Sequence, residues 1–353
     1  MFLTLTQTHQ NRTQAHQKGL SLIELMISLL LSSLLILGIL TLYFDSSQTS
    51  RVSQSLARVQ ESGRIALDLI AKDLRMTGFV GCADPLQELS PAFDATTLDE
   101  AFYQSSLRGA RVDGSSWADM EANAGVAVMN IAAVETSDVL QVRRASGSSV
   151  TLESDMAATA SVLDTDSDEA VTRFRFGGTA IITNCVTADV FTVGDPSGLD
   201  DDKINHLPFS IPYPEGSRVL PFVTAVYWVG NTGRNDQRGN TIWALYQNGL
   251  EVVAGVERLQ LLYGVRDAAD NLRYETADDL SAAEWNDIEV VQLGLLVSDE
   301  QSVLEVADTK SYDLPDLSVQ PAGTVGAVAT YPADGRLRTT FTMTVNLRNN
   351  IDS

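Results

Sequence analysis

Residues Lys18–Phe44 read KGLSLIELMISLLLSSLLILGILTLYF, and this stretch decides the architecture of the chain. Glu24 is the one charged residue after Lys18, and the twenty residues from Leu25 to Phe44 carry no charge. Twenty mostly apolar residues form a helix of about 30 Å, which is long enough to cross the hydrocarbon core of a bilayer. A carboxylate is costly in lipid, so Glu24 is a candidate functional residue that needs a partner.

The charges that flank the apolar run indicate its orientation. Arg12 and Lys18 lie on its N-terminal side, and no acidic residue comes before Glu24. The positive-inside rule therefore predicts a cytoplasmic N-terminus, with everything after Phe44 on the other side of the membrane.

The helix is predicted to continue beyond the apolar run. Apolar or small residues recur every three or four positions and form a stripe on one helix face: Val52, Leu56, Val59, Gly63, Ala66, Ile70 and Leu74. Charged residues occupy many of the positions between them. We expect one helix from about Leu20 to Thr77 that is apolar all round in its first half, amphipathic in its second, and stopped by Gly78. The alternative is a membrane anchor followed by a separate coiled coil, with the break at Gly38 or at residues 45–47.

Most of the remaining chain has the pattern of strands. Residues 83–135 lack clear periodicity, and we expect an irregular connection there, with short helices and a strand near Val126–Ile131. Alternating or β-branched segments then predict strands at Val139–Arg143, Val171–Phe176, Ala180–Val186, Val190–Val193, Val219–Val229, Thr241–Gln247, Ile288–Ser298 and Thr339–Leu347, and one or two strands at Val252–Val265. The predicted fold class is α+β, with one long helix in front of a mostly antiparallel sheet.

Charge limits the partners of this chain. The 353 residues carry a formal net charge of −22 at pH 7. Binding to phosphate requires a basic patch, so we expect no direct contact with nucleic acid. About 300 residues remain outside the bilayer, enough for one large domain or two small ones.

The chain contains two cysteines, Cys82 and Cys185. In an oxidising compartment such a pair suggests a disulfide, and two unrelated buried thiols are the alternative. The two cysteines and the three histidines of the chain do not form an obvious cluster of metal ligands in the sequence, so no metal or cofactor is expected. Asp164, Asp166 and Asp168 alternate as in calcium loops, but the glycine and glutamate of an EF-hand are missing. They are weak calcium candidates, and solvated loop charge is the alternative.

The sequence contains none of the common enzyme signatures. We find no G-x-S-x-G, no Walker loop, no G-x-G-x-x-G after a strand and no H-E-x-x-H. His206 is the only histidine after residue 19, and beside Pro208 we expect it to be an ordinary surface residue. The sequence therefore predicts a protein that is not an enzyme.

Gly19 followed by Leu-Ser-Leu-Ile-Glu-Leu-Met-Ile resembles the class III signal of type IV prepilins, usually G-F-T-L-I-E, with Leu20 in place of Phe. The resemblance implies cleavage between Gly19 and Leu20 by a prepilin peptidase, N-methylation of Leu20, and a role for Glu24 in filament assembly. It divides the chain into a leader (1–19), a transmembrane half-helix (20–44) and an extracytoplasmic domain (45–353) that includes the amphipathic half of the helix to about 77. An ordinary signal anchor is the alternative.

Three further segments are similar to those of PilW-type minor pilins. They are Gly63–Cys82, Gly255–Val265 and Arg338–Asn349. The resemblance covers the whole chain in outline, and it is strongest at residues 18–82 and patchy between 83 and 250. The J-type pseudopilin of type II secretion carries a similar arginine-rich segment and is the runner-up.

The resemblance implies a structural function. A minor pilin of this kind takes part in initiating assembly of a type IV pilus, in a complex at the filament tip. The implied partners are membrane lipid, the prepilin peptidase, the inner-membrane assembly platform, other minor and major pilins, and a tip adhesin. The implied location is the inner membrane with a periplasmic domain, and the extracellular pilus after assembly. The alternative from another class is a signal-anchored periplasmic binding domain or enzyme.

Overall fold

A computed structural model describes residues 21–82, 90–92, 106–113, 133–168, 170–267, 269–281 and 283–348. It divides into two compact units, Met1–Arg51 and Val52–Ser353. In chain order the elements are α1 (Leu22–Arg75), β1 (Ser90–Ala92), β2 (Leu107–Arg111), β3 (Asp138–Ala145), β4 (Val150–Thr151), β5 (Val162–Asp164), α2 (Ala170–Arg173), β6 (Thr179–Thr183), β7 (Ala188–Thr192), β8 (Lys203–Asn205), β9 (Arg218–Asn235), β10 (Thr241–Gln247), β11 (Leu250–Ala254), β12 (Val256–Arg266), β13 (Leu272–Glu275), a 3₁₀ turn (Glu284–Asn286), β14 (Ile288–Ser302), β15 (Tyr312–Leu314), β16 (Leu317–Pro321), β17 (Ala329–Tyr331) and β18 (Arg336–Asn346).

Two sheets dominate the second unit. The larger has nine strands, ordered β1-β7-β6-β9-β10-β11, with β3 and β4 also paired to the long strand β9 and β2 paired to β3. The smaller is ordered β13-β12-β14-β18 and is antiparallel throughout. Two minor sheets join β15-β16-β17 and β5-β8, and the parallel pairs among the described strands are β1 with β7 and β16 with β17. The predicted α+β class, with a long apolar N-terminal helix and a mostly antiparallel sheet, is confirmed.

The long helix is continuous, so the alternative with a break at Gly38 or at residues 45–47 is wrong. It ends three residues before Gly78, which adopts the left-handed conformation (φ 72°). Glycine adopts that conformation without steric cost. The Gly78 N–H donates to the Arg143 carbonyl at 3.1 Å instead of to a carbonyl of the helix. The turn after α1 is therefore bonded directly to strand β3.

The second half of α1 buries one face, largely as predicted. Val59, Ala66, Ile70 and Leu74 are at most 1% exposed and lie in the main core with residues of β12 and β14 such as Leu259, Leu261, Leu293 and Leu295. The start of the stripe differs from the expectation, because Val52 is half-buried, Leu56 is 39% exposed and the neighbouring Ser55 is buried instead of Leu56. Burial of this face against the sheets is the main stabilising contribution to this half of the helix.

One predicted strand is wrong. Residues 171–176 do not form a strand, because residues 170–173 form the short helix α2, in which the Phe174 N–H donates to the Ala170 carbonyl at 2.9 Å. Ala170 and Phe174 are buried four residues apart, and that spacing puts them on one side of a helix. The expected strand at 126–131 lies outside the described residues.

The remaining strand predictions recover the two sheets, with shifted ends. β9 continues to Asn235, so the loop before β10 is shorter than the sequence suggested. The predicted segment Val252–Val265 is two strands, because Gly255 adopts a φ of 86° and separates β11 from β12. A side chain at Gly255 would also overlap the Ser298 carbonyl, so both conformation and space require glycine there.

A buried ion network joins the small sheet to its neighbours. Arg338 of β18 donates to Glu257 of β12 at 2.8 and 3.0 Å and to Asp334 at 2.8 Å. Arg336 lies 3.2 Å from Asp236, in the turn that follows β9. Each of these five side chains is at most 3% exposed. Removing one member would leave a buried charge without compensation, so the network constrains which strands can be neighbours.

Helix α1 crosses strand β18 closely at Gly63, because a Cβ atom there would overlap the ring of Phe341. We predict that Gly63→Leu lowers the free energy of unfolding by about 1–3 kcal/mol, since the added side chain forces the helix and the strand apart. Chemical denaturation of the full chain in detergent measures this. Adding Phe341→Ala to Gly63→Leu should recover part of the loss. Equal stability of the wild type and the single variant would show that the crossing is loose.

Candidate functional site

Glu24 lies in the first turn of α1. It is the only charged side chain from Leu22 to Phe44, and every large apolar side chain in that range is between 45% and 79% exposed. Among the described residues, α1 is the one helix that is long and apolar enough to cross a membrane. The first half of α1 therefore carries a single carboxylate at the start of an extensive apolar surface.

The serine and threonine hydroxyl groups between Leu22 and Phe44 donate hydrogen bonds within the helix. Ser28 donates to the Glu24 carbonyl at 2.6 Å, and Ser32 donates to the Ser28 carbonyl at 2.7 Å. Ser33 and Thr41 make similar bonds to carbonyls three residues earlier, both at 2.8 Å. Helical Ser and Thr commonly bond back to the preceding turn, which removes their donors from apolar surroundings. These serines and threonine therefore add little polarity to the surface around Glu24.

The other end of α1 is held by a buried carboxylate, Asp73. Its Oδ1 accepts from Arg144 of β3 at 2.7 and 3.0 Å, and its Oδ2 accepts from the Tyr227 hydroxyl of β9 at 2.6 Å. Gln247 of β10 donates to the same Oδ2 at 3.2 Å and to the Tyr227 oxygen at 2.8 Å. Burial and the adjacent Asp73 charge raise the pKa of Tyr227, so the phenol stays protonated and donates. One carboxylate thus bonds to three adjacent strands.

The residues around Asp73 are a feature that the sequence analysis did not identify. A signal was available, because Asp73 follows the buried Ile70 by three residues and precedes the buried Leu74. A carboxylate on the buried face of an amphipathic helix needs a partner. The partners Arg144, Tyr227 and Gln247 are 71 to 174 residues away, so no local pattern could have named them.

A second polar contact holds the middle of α1. Arg58 donates from Nη2 and Nε to the two carboxylate oxygens of Asp299 on β14, at 2.6 and 3.2 Å. The Asp299 side chain is 3% exposed and that of Arg58 is 48% exposed. The hydrogen bond to Asp299 is the largest influence on the guanidinium and raises the pKa of Arg58. The pair is half open to solvent, so it contributes less than the buried Asp73 cluster.

The structure joins Cys82 to Cys185 in a disulfide. Cys82 follows the turn after α1, and Cys185 lies in the tight turn between β6 and β7. Asn184 builds that turn, because its Oδ1 accepts from the Val186 and Thr187 N–H groups at 3.0 and 2.8 Å. The bond links the segment after the helix to the hairpin of the larger sheet.

The weak calcium candidates do not form one cluster. A carboxylate oxygen of Asp164 lies within 4.8 Å of one from Glu153 and one from Asp202. Asp166 and Asp168 are not members of this group of described residues. Asp166 instead accepts from the Thr151 N–H at 2.8 Å, which holds the loop after β5. Glu153 is exposed and the other two are half-buried, as is common for acidic groups on an acidic surface.

The expectation for His206 is wrong, because the residue is buried at 4% exposure. Its ring stacks on Phe209 with centroids 4.2 Å apart and meets Phe191 edge-on at 5.6 Å. Nδ1 lies at hydrogen-bond distance from the Leu207 carbonyl, which can only accept, so the neutral ring carries its proton on Nδ1. Nε2 is buried and has no hydrogen-bond partner in the described part of the chain, and burial lowers the pKa of His206 from its usual 6.5. The histidine therefore belongs to an aromatic cluster formed with Phe209, three residues later, and Phe191 of β7.

Comparison with known families gives two matches. Residues 226–349 match the family described as Type IV Pilus-assembly protein W, and residues 14–40 match the Prokaryotic N-terminal methylation motif. The PilW resemblance and the prepilin signal are thereby confirmed. The first match covers about a third of the chain and includes the segments at 255–265 and 338–349, but not the segment at 63–82. No curated protein matches the chain. Together the two matches support a type IV pilus minor pilin, a family of structural subunits.

We predict that Asp73→Asn lowers the free energy of unfolding by about 3 kcal/mol, because the substitution leaves the Arg144 guanidinium buried without its counter-charge. Asp68→Asn is the matched control, since it makes the same change on the exposed face of the same helix and should alter stability by less than about 0.5 kcal/mol. Denaturant unfolding of the full chain in detergent compares the two. Similar losses of unfolding free energy in both variants would show that the hydrogen bonds to Asp73 do not stabilise the fold more than an exposed carboxylate does.

The neutral state of His206 predicts a pH dependence. A lowered pKa in the folded protein means that the stability contributed by neutral His206 is present above pH 6.5 and is lost as the pH falls below it. Between pH 7.5 and 5.5 the wild type should lose about 1 kcal/mol more unfolding free energy than His206→Phe. Both proteins retain the nearby buried Asp189, so the difference isolates the histidine. Parallel pH profiles would contradict the buried neutral state.

Proposed function

We propose that this chain is a minor pilin that takes part in initiating assembly of a type IV pilus, within a complex of minor pilins at the filament tip. The observation that carries the proposal is the position of Glu24, a single carboxylate at the start of an exposed apolar helix. The matches to the methylation motif and to the pilus-assembly family support it.

The apolar half of α1 suits two successive surroundings. In the membrane its side chains contact lipid, and in a filament they contact the helices of neighbouring subunits. Lipid is as apolar as leucine, so transfer of the helix from the membrane to a filament depends on shape and on polar contacts rather than on hydrophobicity. Glu24 supplies the polar contact in this proposal, because a carboxylate in apolar surroundings gains most from a cation that neutralises it.

The cation that we propose is the amino group of a neighbouring subunit. A prepilin peptidase would cut between Gly19 and Leu20 and leave an N-methylated Leu20 as the new terminus. That terminus would lie four residues before Glu24 in each subunit. Gly19 and Leu20 lie outside the described residues, so this step rests on the sequence motif and its match.

The proposed location follows from the same features. Arg12 and Lys18 would stay in the cytoplasm, α1 would anchor the chain in the inner membrane, and the sheets would lie in the periplasm until assembly. A disulfide between Cys82 and Cys185 suits an oxidising compartment. The partners in this proposal are the assembly platform, other minor and major pilins, and a tip adhesin.

The experiment that tests this function is mass analysis of the N-terminal peptide, from membranes and from sheared pili. A chain that begins at N-methylated Leu20 and is present in the sheared fraction would agree with the proposal. A chain that still begins at Met1 and is found in membranes alone would contradict the proposal and show that the N-terminal segment is an ordinary signal anchor. Processed chain in a strain whose type II secretion, but not its pili, depends on the protein would favour a pseudopilin.

We predict that Glu24→Ala leaves membrane insertion and processing intact but strongly reduces the number of pili, because the neighbouring terminus loses its counter-charge. Glu61→Ala is the matched control, since Glu61 is an exposed acid further along the same helix. Immunoblots of membranes and of sheared filaments measure insertion and assembly separately. Normal incorporation of Glu24→Ala into filaments would refute the assembly role of this residue.

A further inference from the structure

Arg258 on β12 lacks the carboxylate partner that four other arginines with low exposure have. Four arginines with side chains at most 25% exposed each contact a carboxylate within 3.2 Å: Arg111 with Asp138, Arg144 with Asp73, Arg336 with Asp236, and Arg338 with Glu257. In the part of the chain that the structure describes, no carboxylate lies within 4 Å of the Arg258 guanidinium. A largely buried cation in so acidic a chain, with no acid beside it, calls for an explanation.

The contacts of Arg258 are few and neutral. Nη1 donates to the carbonyl of Glu257 at 3.0 Å, and Nη2 donates to the carbonyl of Thr330 at 2.7 Å. Nε is buried and has no hydrogen-bond partner among the described residues. The carboxylate of Glu257 accepts hydrogen bonds from Arg338. Glu135 is exposed and influences Arg258 by electrostatic attraction, without a hydrogen bond to it among the described contacts. Burial lowers the pKa of Arg258 to about 10, and the attraction of Glu257 and Glu135 offsets only part of that effect.

A cavity of about 340 Å³ opens beside this arginine. Its volume is at the lower end of the range of roughly 300–1,000 Å³ that small-molecule sites occupy. Apart from Arg258, Thr330 and two acids, its walls are aliphatic or aromatic: Ala133, Val134, Trp243, Ala322, Tyr331 and Pro332. The acids are Glu257, which is paired with Arg338, and Glu135, which is exposed. The cavity thus combines an apolar wall with one cation that has unused donors.

We propose that this cavity binds a carboxylate carried on an apolar or aromatic body. Arg258 binds the carboxylate through the N–H groups that the backbone carbonyls leave free, and Trp243 and Tyr331 pack against the body. A guanidinium binds a carboxylate through two parallel N–H groups, and the bond is stronger where water is excluded. This chemistry belongs equally to the C-terminal residue of a polypeptide and to a small aromatic acid. The proposal does not depend on a role in pilus assembly.

The test uses the full chain in lipid nanodiscs, labelled with 5-fluorotryptophan. Trp243→Phe assigns the ¹⁹F resonance of Trp243. The probes are 3-phenylpropionate, the tripeptide Ala-Ala-Phe with a free C-terminus, and the amide of each. We expect the carboxylates to shift the Trp243 resonance saturably and the amides to bind at least about tenfold more weakly. Tighter binding of the tripeptide would assign the site to a chain terminus, and tighter binding of 3-phenylpropionate would assign it to a small acid.

Two variants keep the test decisive. Arg258→Gln should abolish the shift, and so should Ala322→Phe, which fills the cavity from its exposed rim without changing the arginine. Unchanged resonances of Trp228 and Trp285 report that each variant is folded. If Arg258→Gln perturbs those resonances, Ala322→Phe alone decides. The proposal is overturned if amides and acids bind equally well, if the shift survives either folded variant, or if none of the probes moves the Trp243 resonance.

Discussion

The carboxylate of Asp73 is the contact on which the arrangement of the helix end and the larger sheet depends. It accepts hydrogen bonds from Arg144, Tyr227 and Gln247, which belong to the three adjacent strands β3, β9 and β10. The apolar face of α1 would tolerate a small slide along the sheets, because contacts between aliphatic side chains are not directional. A buried charge with three donors is satisfied in one register only.

The contacts on either side of Asp73 extend this constraint. Arg58 bonds to Asp299 about one and a half helical turns before Gly63, and Gly63 lets Phe341 approach the helix axis. Downstream, the Gly78 N–H donates to strand β3 and Cys82 is bonded to the β6–β7 turn. The second half of α1 is therefore fixed by covalent, polar and steric contacts together.

Charge is used differently in the two halves of α1. In the first half, hydroxyls bond back to the helix and one carboxylate, Glu24, remains without a cation among the described residues of that segment. In the second unit, most buried acids and arginines form pairs or networks, such as that of Arg336, Arg338 and Glu257. Glu24 has no cation among the described residues of its segment, and Arg258 has no carboxylate within 4 Å among the described residues; the two proposals above supply a partner for each from outside the chain. An unpaired charge in apolar surroundings is costly, so its retention points to a binding role.

Periodicity within the sequence determined the long helix, its change from apolar to amphipathic near residue 45, and most strands of the two sheets. The spacing of Gly19, Leu20 and Glu24 determined the family resemblance, because that signal is contiguous. These features depend on residues close together in the chain. Only the tertiary structure decided that Asp73 is a buried anchor, that His206 lies in an aromatic pocket, that Ala170–Arg173 is helical, and that Asp164 lies beside Glu153 and Asp202. The partners of Asp73 lie 71 to 174 residues away, and the other outcomes depend on which side chains the packed sheets bury. Burial, unlike periodicity, is not a property of a local stretch of sequence.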